Sequence, residues 1–182
     1  SQETEDLKQD ISDMEKLVDE YLNFAKVGER EKNHPTKIKE FLRNNIIYYY
    51  AKMQKNIASN LDIPDDLELP IRIIAFKRAL INLIDNAFNY GKNVEFHATI
   101  SEKNLVINID DDGPGIPKSE RDNVFKPFYR IDNSRNLDKK LASGGSGLGL
   151  AIAMDAIASH GGRIKLLESP KKGLRVIIYI PI

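Results

Sequence analysis

Hydrophobic positions in the first thirty residues alternate in steps of four and three. Leu7, Ile11, Met14, Val18, Tyr21 and Ala25 form the seam of a heptad repeat, with acidic and basic residues around it. One helix cannot bury so narrow a stripe, which predicts a partner helix outside this sequence or in a second subunit. Docking on the chain's own domain is the plainer alternative. Gly28 is expected to end this helix, and 29–35 to form a polar linker punctuated by Pro35. From Thr36 the pattern turns to mixed helices and strands. A helix over 39–55 puts Phe41, Leu42, Ile46 and Tyr49 on one side, and short strands follow at 57–63 and 67–69, closed by Pro64 and Pro70. The helix over 73–90 is apolar all round, through Ile74, Phe76, Leu80, Ile81, Leu83, Ile84, Ala87 and Phe88, until Gly91 stops it. Val94, Phe96, Ala98 and Ile100 then line one face of a strand, and Leu105, Ile107 and Ile109 line one face of the next. A loop at 111–117 leads to a short helix at 118–124, a polar stretch at 126–146, a helix at 151–160 and a closing hairpin of 163–169 with 174–180. The pattern predicts an α+β fold, a two-layer α/β sandwich with a mostly antiparallel sheet, preceded by a coiled-coil-like helix. The chain divides into a helical segment at 1–30, a linker at 31–35 and a domain at 36–182.

The chain is long enough for one ordinary domain with an appendage. Its 27 basic residues balance its 27 acidic ones, which gives no support to a nucleic-acid-binding face. The absence of cysteine excludes disulfides and thiolate metal sites. No apolar run approaches the roughly 18 residues that a membrane-spanning helix needs. The opening Ser1-Gln2-Glu3 has no initiator methionine and reads as a piece of a longer protein. The span 126–146 is too long for a plain connection, and such spans are usually functional, often lids.

Four clusters carry chemistry. Asn82 and Asn86 are four residues apart and share a helix face. Two amide oxygens there can help hold Mg²⁺, a hard ion that takes oxygen ligands, although solvent-facing asparagines would look the same. Asp111-Asp112-Gly113-Pro114-Gly115 directly follows a strand. Its carboxylate can accept from the exocyclic amine of adenine, yet alone the motif is an ordinary turn. Val124-Phe125-Lys126-Pro127-Phe128-Tyr129-Arg130 can anchor a loop and bring a guanidinium to phosphate, or simply form a small surface cluster. Gly144-Gly145-Ser146-Gly147-Leu148-Gly149-Leu150 opens a helix, where free N–H groups and the positive dipole end favour phosphate. It lacks the Gly-Lys-Ser/Thr of a Walker loop, and no βαβ unit surrounds it.

In this order the four clusters resemble the N, G1, F and G2 boxes of the catalytic ATP-binding domain of sensor histidine kinases. That domain belongs to the wider GHKL superfamily, with gyrase, the ninety-kilodalton heat-shock chaperones and mismatch-repair ATPases. The likeness covers about 36–182 and implies a Bergerat-type ATP-binding fold. The first helix resembles the second helix of that family's dimerisation and phosphoacceptor hairpin, and the flavour is that of the osmosensing porin-regulator kinases. The resemblance implies that Asn86 ligates Mg²⁺ beside Asn82, that Asp111 reads adenine, and that Gly113, Gly115 and Ile116 shape the base pocket. It places Tyr90 against the adenine, Arg130 on the lid side of the phosphates, and Gly145, Ser146, Gly147, Leu148 and Gly149 around the phosphates. Asn89 departs from the pattern, since many relatives carry a cation there, so Arg130, Arg135 or Lys92 would supply that charge.

Superfamily members that hydrolyse ATP carry glutamate at the position of Asn82, and asparagine cannot act as that general base. The resemblance therefore implies a protein-histidine kinase, transferring phosphoryl rather than using water. The acceptor should be a histidine on a helix, followed closely by an acidic residue. His34 lies in the linker, His97 points to solvent from a strand, and His160 ends a helix whose dipole favours it. The acceptor is thus expected upstream of Ser1. The implied partners are a response-regulator receiver domain and, through the hairpin, a second copy of the parent. That parent would be anchored in the bacterial inner membrane with this portion cytoplasmic. Two other readings stay open: a degenerate nucleotide-binding regulatory module, and a serine kinase of the anti-sigma-factor type.

Overall fold

The computed structural model describes residues 1–131 and 147–182, with backbone alone for 23–30. Helix α1 spans Gln2–Arg30, so it continues past Gly28. Its seam is exposed from Leu7 through Tyr21, with Leu7 and Met14 above 60% accessible. The stretch after it is not a slack linker. Strand β1 (His34–Lys37) pairs antiparallel with β3 (Glu68–Ile71), from His34 opposite Ile71 to Lys37 opposite Glu68.

The helix expected at 39–55 is interrupted. α2 (Ile38–Leu42) passes into a π-helical turn at Arg43–Ile47 and then α3 (Tyr48–Lys52). The buried residues Phe41, Leu42, Ile46 and Tyr50 still face the core. Tyr50 spans to the next helix, α4 (Ile73–Tyr90), donating its hydroxyl to Asp85 Oδ1 at 2.7 Å. Burial, reinforced by that carboxylate, raises the phenol's pKa. α4 is not apolar all round in use. Phe76, Leu80, Leu83 and Ile84 are buried, whereas Ile74 is 56% exposed at its start.

The main sheet has five strands in the order β2-β4-β5-β7-β6. They are β2 (Ile57–Asp62), β4 (Val94–Ser101), β5 (Asn104–Asp111), β6 (Arg163–Glu168) and β7 (Leu174–Pro181). Only β2–β4 is parallel; the other pairs are antiparallel. Alternation sets the two faces. Phe96, Leu105, Ile107 and Ile178 are fully buried on one face, in the same core as α4 and as Ala153 and Ile157 of α5 (Gly149–Ser159). Glu95, His97, Asn108 and Asp110 occupy the other face. There Arg175 clasps Asp110 through two bonds of 2.7 Å, which keeps a carboxylate only 1% exposed from being a buried unpaired charge. The helix expected at 118–124 is two short 3₁₀ turns, Lys118–Glu120 and Asn123–Phe125.

Candidate functional site

α4 and α5 run antiparallel, and the ends of β4 and β5 abut the C-terminus of α4. At that junction Asp111 is buried at 3% exposure. Its Oδ1 accepts from the backbone N–H of Gly113 at 2.9 Å and of Leu174 at 3.0 Å. Its Oδ2 has no hydrogen-bond partner among the described residues, so one carboxylate oxygen is fixed by the fold and the other is not. Burial pushes this carboxyl above the usual aspartate range, against the two N–H bonds that pull it down. The neighbouring Asp112 does the opposite. It is partly exposed, accepts from Lys92 N–H at 2.7 Å, Asn93 N–H at 3.0 Å and Asn93 Nδ2 at 2.7 Å, and those bonds lower its pKa to about 2. Asp112 thus ties the loop after α4 to the loop after β5.

Close approach explains two glycines here. A Cβ on Gly113 would lie 2.7 Å from the Tyr90 carbonyl oxygen, and one on Gly173 would lie 2.2 Å from the Asp111 carbonyl oxygen. Ser169 closes the same corner, donating to the Asp111 carbonyl at 2.6 Å and accepting from Gly173 N–H at 3.0 Å. Ser169 and Gly173 were read from sequence only as part of a hairpin. Their proximity to Asp111 follows from the β5–β7 register, which places Asp110 opposite Arg175, and no local signal carries it.

Asn82 and Asn86 are half-buried on α4. Asn82 Nδ2 lies 3.5 Å from the carbonyl oxygen of Gly149, so the structure brings the asparagine face to the start of α5. Among the described residues a Cβ on Gly149 would meet only Asn82 Cβ, at 3.9 Å. The Asn86 carboxamide has no hydrogen-bond partner among the described residues. Leu148 is buried, and Gly147 adopts φ +73° against the backbone of Phe128, whose N–H it receives at 2.9 Å. Ile116 is half-buried against the core, and Gly115 turns the loop at φ +71°. Tyr90 is 53% exposed beside the Asp111 loop. Arg130 is exposed, with no ion-pair partner among the described residues. Arg135, Gly144, Gly145, Ser146 and most of the polar stretch 126–146 lie outside the described residues.

The family model for histidine kinase-, DNA gyrase B-, and HSP90-like ATPases matches residues 72–182, from α4 to the end of the chain, leaving α1 to α3 and β1 to β3 outside. The chain belongs to this family. Sensor histidine kinase CpxA of Escherichia coli (strain K12) is 40% identical over 109 residues, which cover 59% of this chain and 23% of that protein. Sensor histidine kinase YcbM of Bacillus subtilis (strain 168) is 31% identical over 172 residues, 90% of this chain and 54% of that one. The solved histidine kinase domain of the E. coli osmosensor EnvZ superposes with a TM-score of 0.59 at 27% identity, over 84% of this chain and 89% of that one. The chain therefore spans between about a quarter and about half of these curated relatives. Its domain is the ATPase catalytic domain of sensor histidine kinases, with the α+β fold of those ATP-binding domains. Among the described residues no helix is long and apolar enough to cross a membrane.

His160 corrects one sequence expectation. The helix dipole was expected to favour its charged form. Instead burial lowers its pKa. Its Nε2 accepts from Arg72 N–H at 3.0 Å, which requires the neutral ring.

Proposed function

We propose that this chain is the ATP- and Mg²⁺-binding catalytic part of a two-component sensor histidine kinase. It passes the γ-phosphoryl group to a histidine outside this sequence, from which a response-regulator receiver domain takes it. The bond from phosphorus to the β,γ-bridging oxygen breaks as a bond to the imidazole nitrogen forms, ADP leaves, and a carboxylate near the acceptor takes the imidazole proton. The observation that carries this reading is the construction of α4. Its C-terminal end lies beside the turn that carries Asp111, whose Oδ2 has no hydrogen-bond partner among the described residues and is suited to an adenine amine. Earlier along the same helix Asn82 faces the opening of α5, with Asn86 one turn further on, suited to phosphates.

Among the described residues no cluster of three His, Asp, Glu or Cys side chains forms a metal site. That fits Mg²⁺ held by one amide oxygen, Asn86, with phosphates and waters as its other ligands. The ion would neutralise charge on the phosphates. Asn82 has no basic oxygen with which to deprotonate water, so the site favours transfer over hydrolysis. Arg130 and the glycines 145, 147 and 149, with Ser146 and Leu148, would enclose the phosphates. The parent would dimerise through α1 and its missing partner helix, and be anchored in a bacterial inner membrane.

Calorimetric titration with a non-hydrolysable ATP analogue and Mg²⁺ tests the first half, and labelling of a separately supplied acceptor hairpin tests the second. Binding by this chain, with label only on the hairpin's histidine, is expected. A folded chain that binds no nucleotide would be the degenerate regulatory module. Label on this chain itself, or on a partner's serine, would overturn the histidine-kinase reading.

A further inference from the structure

The first turn of α4 is met from two sides. Arg72, its N-cap residue, supplies no side-chain cap. Glu31, the first residue beyond α1, supplies one instead from 43 positions away. Its Oε2 accepts from Ile74 N–H at 2.8 Å and its Oε1 from Ala75 N–H at 3.0 Å. On the other side His160 Nε2 accepts from Arg72 N–H at 3.0 Å, and the Arg72 guanidinium donates to the Ser159 carbonyl at 2.8 Å. His160 Nδ1 donates to the Ala156 carbonyl at 2.6 Å, which fixes the tautomer.

These bonds decide how α1 is attached. β1 is held to β3 from His34 onward, and only Lys32 and Asn33 separate it from Glu31. With Glu31 bonded, α1 leaves the domain from a pinned point. With Glu31 released, residues 31–33 become a hinge of about 10 Å. The anchor is also in line with the site. α4 and α5 are tied at two levels ten residues apart on each helix, Arg72 to Ser159 and Asn82 to Gly149, a separation of about 15 Å. The pinned end of this helix pair is therefore coupled to the end that carries the asparagine face.

We propose that Glu31 is a positioning residue: by clasping the N-terminus of α4 it sets the direction in which α1 leaves the ATP-binding domain. Its release lets α1 swing. On the kinase reading, which this consequence rests on, that swing governs how the acceptor hairpin meets the nucleotide.

The absence of cysteine allows spin labels at Lys16 on α1 and Lys165 on β6 without background. The wild type should give one narrow distance distribution. Glu31→Ala should broaden it at least twofold and speed hydrogen exchange at Ile74 and Ala75 at least tenfold, with analogue affinity within twofold of wild type. Glu31→Gln, which keeps an acceptor oxygen, should fall between and serves if Glu31→Ala fails to fold. Faster exchange with an unchanged distance distribution would reduce Glu31 to an ordinary cap and overturn the proposal, as would a broad distribution in the wild type. If the wild type binds no nucleotide yet Glu31→Ala broadens the distances, the latch stands and the kinase reading falls.

Discussion

Asp111→Asn separates what the site does for the ligand from what it does for the fold. In the wild type Oδ1 accepts two backbone N–H bonds while Oδ2 has no partner among the described residues. Asparagine can place its carbonyl oxygen at the Oδ1 position and keep both bonds. They weaken from bonds to a charged acceptor to bonds to a neutral one, a loss of about 1 kcal/mol each. Against that, the variant no longer ionises a group that burial holds above the usual aspartate range. A carboxyl raised on folding contributes its full stability below its unfolded pKa and loses it as pH rises through the folded one. At neutral pH the ionised carboxylate is therefore a cost to the fold, and its removal offsets the weakened bonds. Net stability should change by no more than about 1 kcal/mol. Nucleotide binding should respond quite differently. An NH₂ now faces the adenine amine, so a charge-assisted bond of about 1.5–3 kcal/mol is lost and an unmet donor of similar cost is created. A loss of about 3–6 kcal/mol is a weakening of roughly 100- to 20,000-fold in Kd. Calorimetry gives the affinity and urea denaturation the stability. Equal affinities would refute the assignment of Asp111 to the base. So would a stability loss as large as the affinity loss, because Asp111 would then be a structural post.

Gly149→Ala should leave the urea midpoint unchanged or slightly raised, since a Cβ there makes only an ordinary contact with Asn82 Cβ at 3.9 Å among the described residues and alanine favours helices by up to about 1 kcal/mol. Analogue affinity measured on the same sample should fall at least tenfold. Gly173→Ala should lower both stability, by about 1–3 kcal/mol, and affinity, because its Cβ would collide with Asp111. His160, which faces Arg72, Glu31, the Phe76 ring and the Ala156 carbonyl, has its pKa lowered chiefly by burial. The unfolded chain then binds the extra proton first, so the contribution is full above about 6.5 and is lost as pH falls through the folded value. Denaturation midpoints should therefore drop between pH 7.5 and pH 5.5, and drop less in His160→Gln; equal slopes would remove His160 from this account.

The order of elements was legible because each rests on a local period. Alternation placed β4 and β5, and glycine placed the end of α4. Two of the failures among helices have local causes. The π-helical turn at Arg43–Ile47 leaves Phe41, Leu42, Ile46 and Tyr50 all facing inward, so the sequence still looks like one helix. Gly28 was read as a stop, but glycine costs only about 1 kcal/mol within a helix, and α1 runs through it. At the site, Asp111, Asn82 and Asn86 were visible as residue types in a recognisable order. Ser169, Gly173 and Glu31 were not. Each acts through strand register or through a contact across more than forty residues, which no window on the sequence contains.

The site glycines differ in what demands them, and the difference argues for a ligand. Gly113 and Gly173 are excluded from carrying a side chain by the protein itself, since a Cβ would overlap Tyr90 or Asp111. Gly115 and Gly147 stand at φ +71° and +73°, where other residues are strained by about 1–2 kcal/mol. Gly149 meets neither condition. It has an ordinary backbone and room for a methyl group beside Asn82, and it opens a helix that alanine would stabilise. Packing against the described residues and backbone strain supply no reason for glycine there. On the ATP-binding reading proposed above, the reason would be a group that approaches the first N–H groups of α5 more closely than a Cβ permits. Its place opposite Asn82 and at the positive end of a helix fits phosphate.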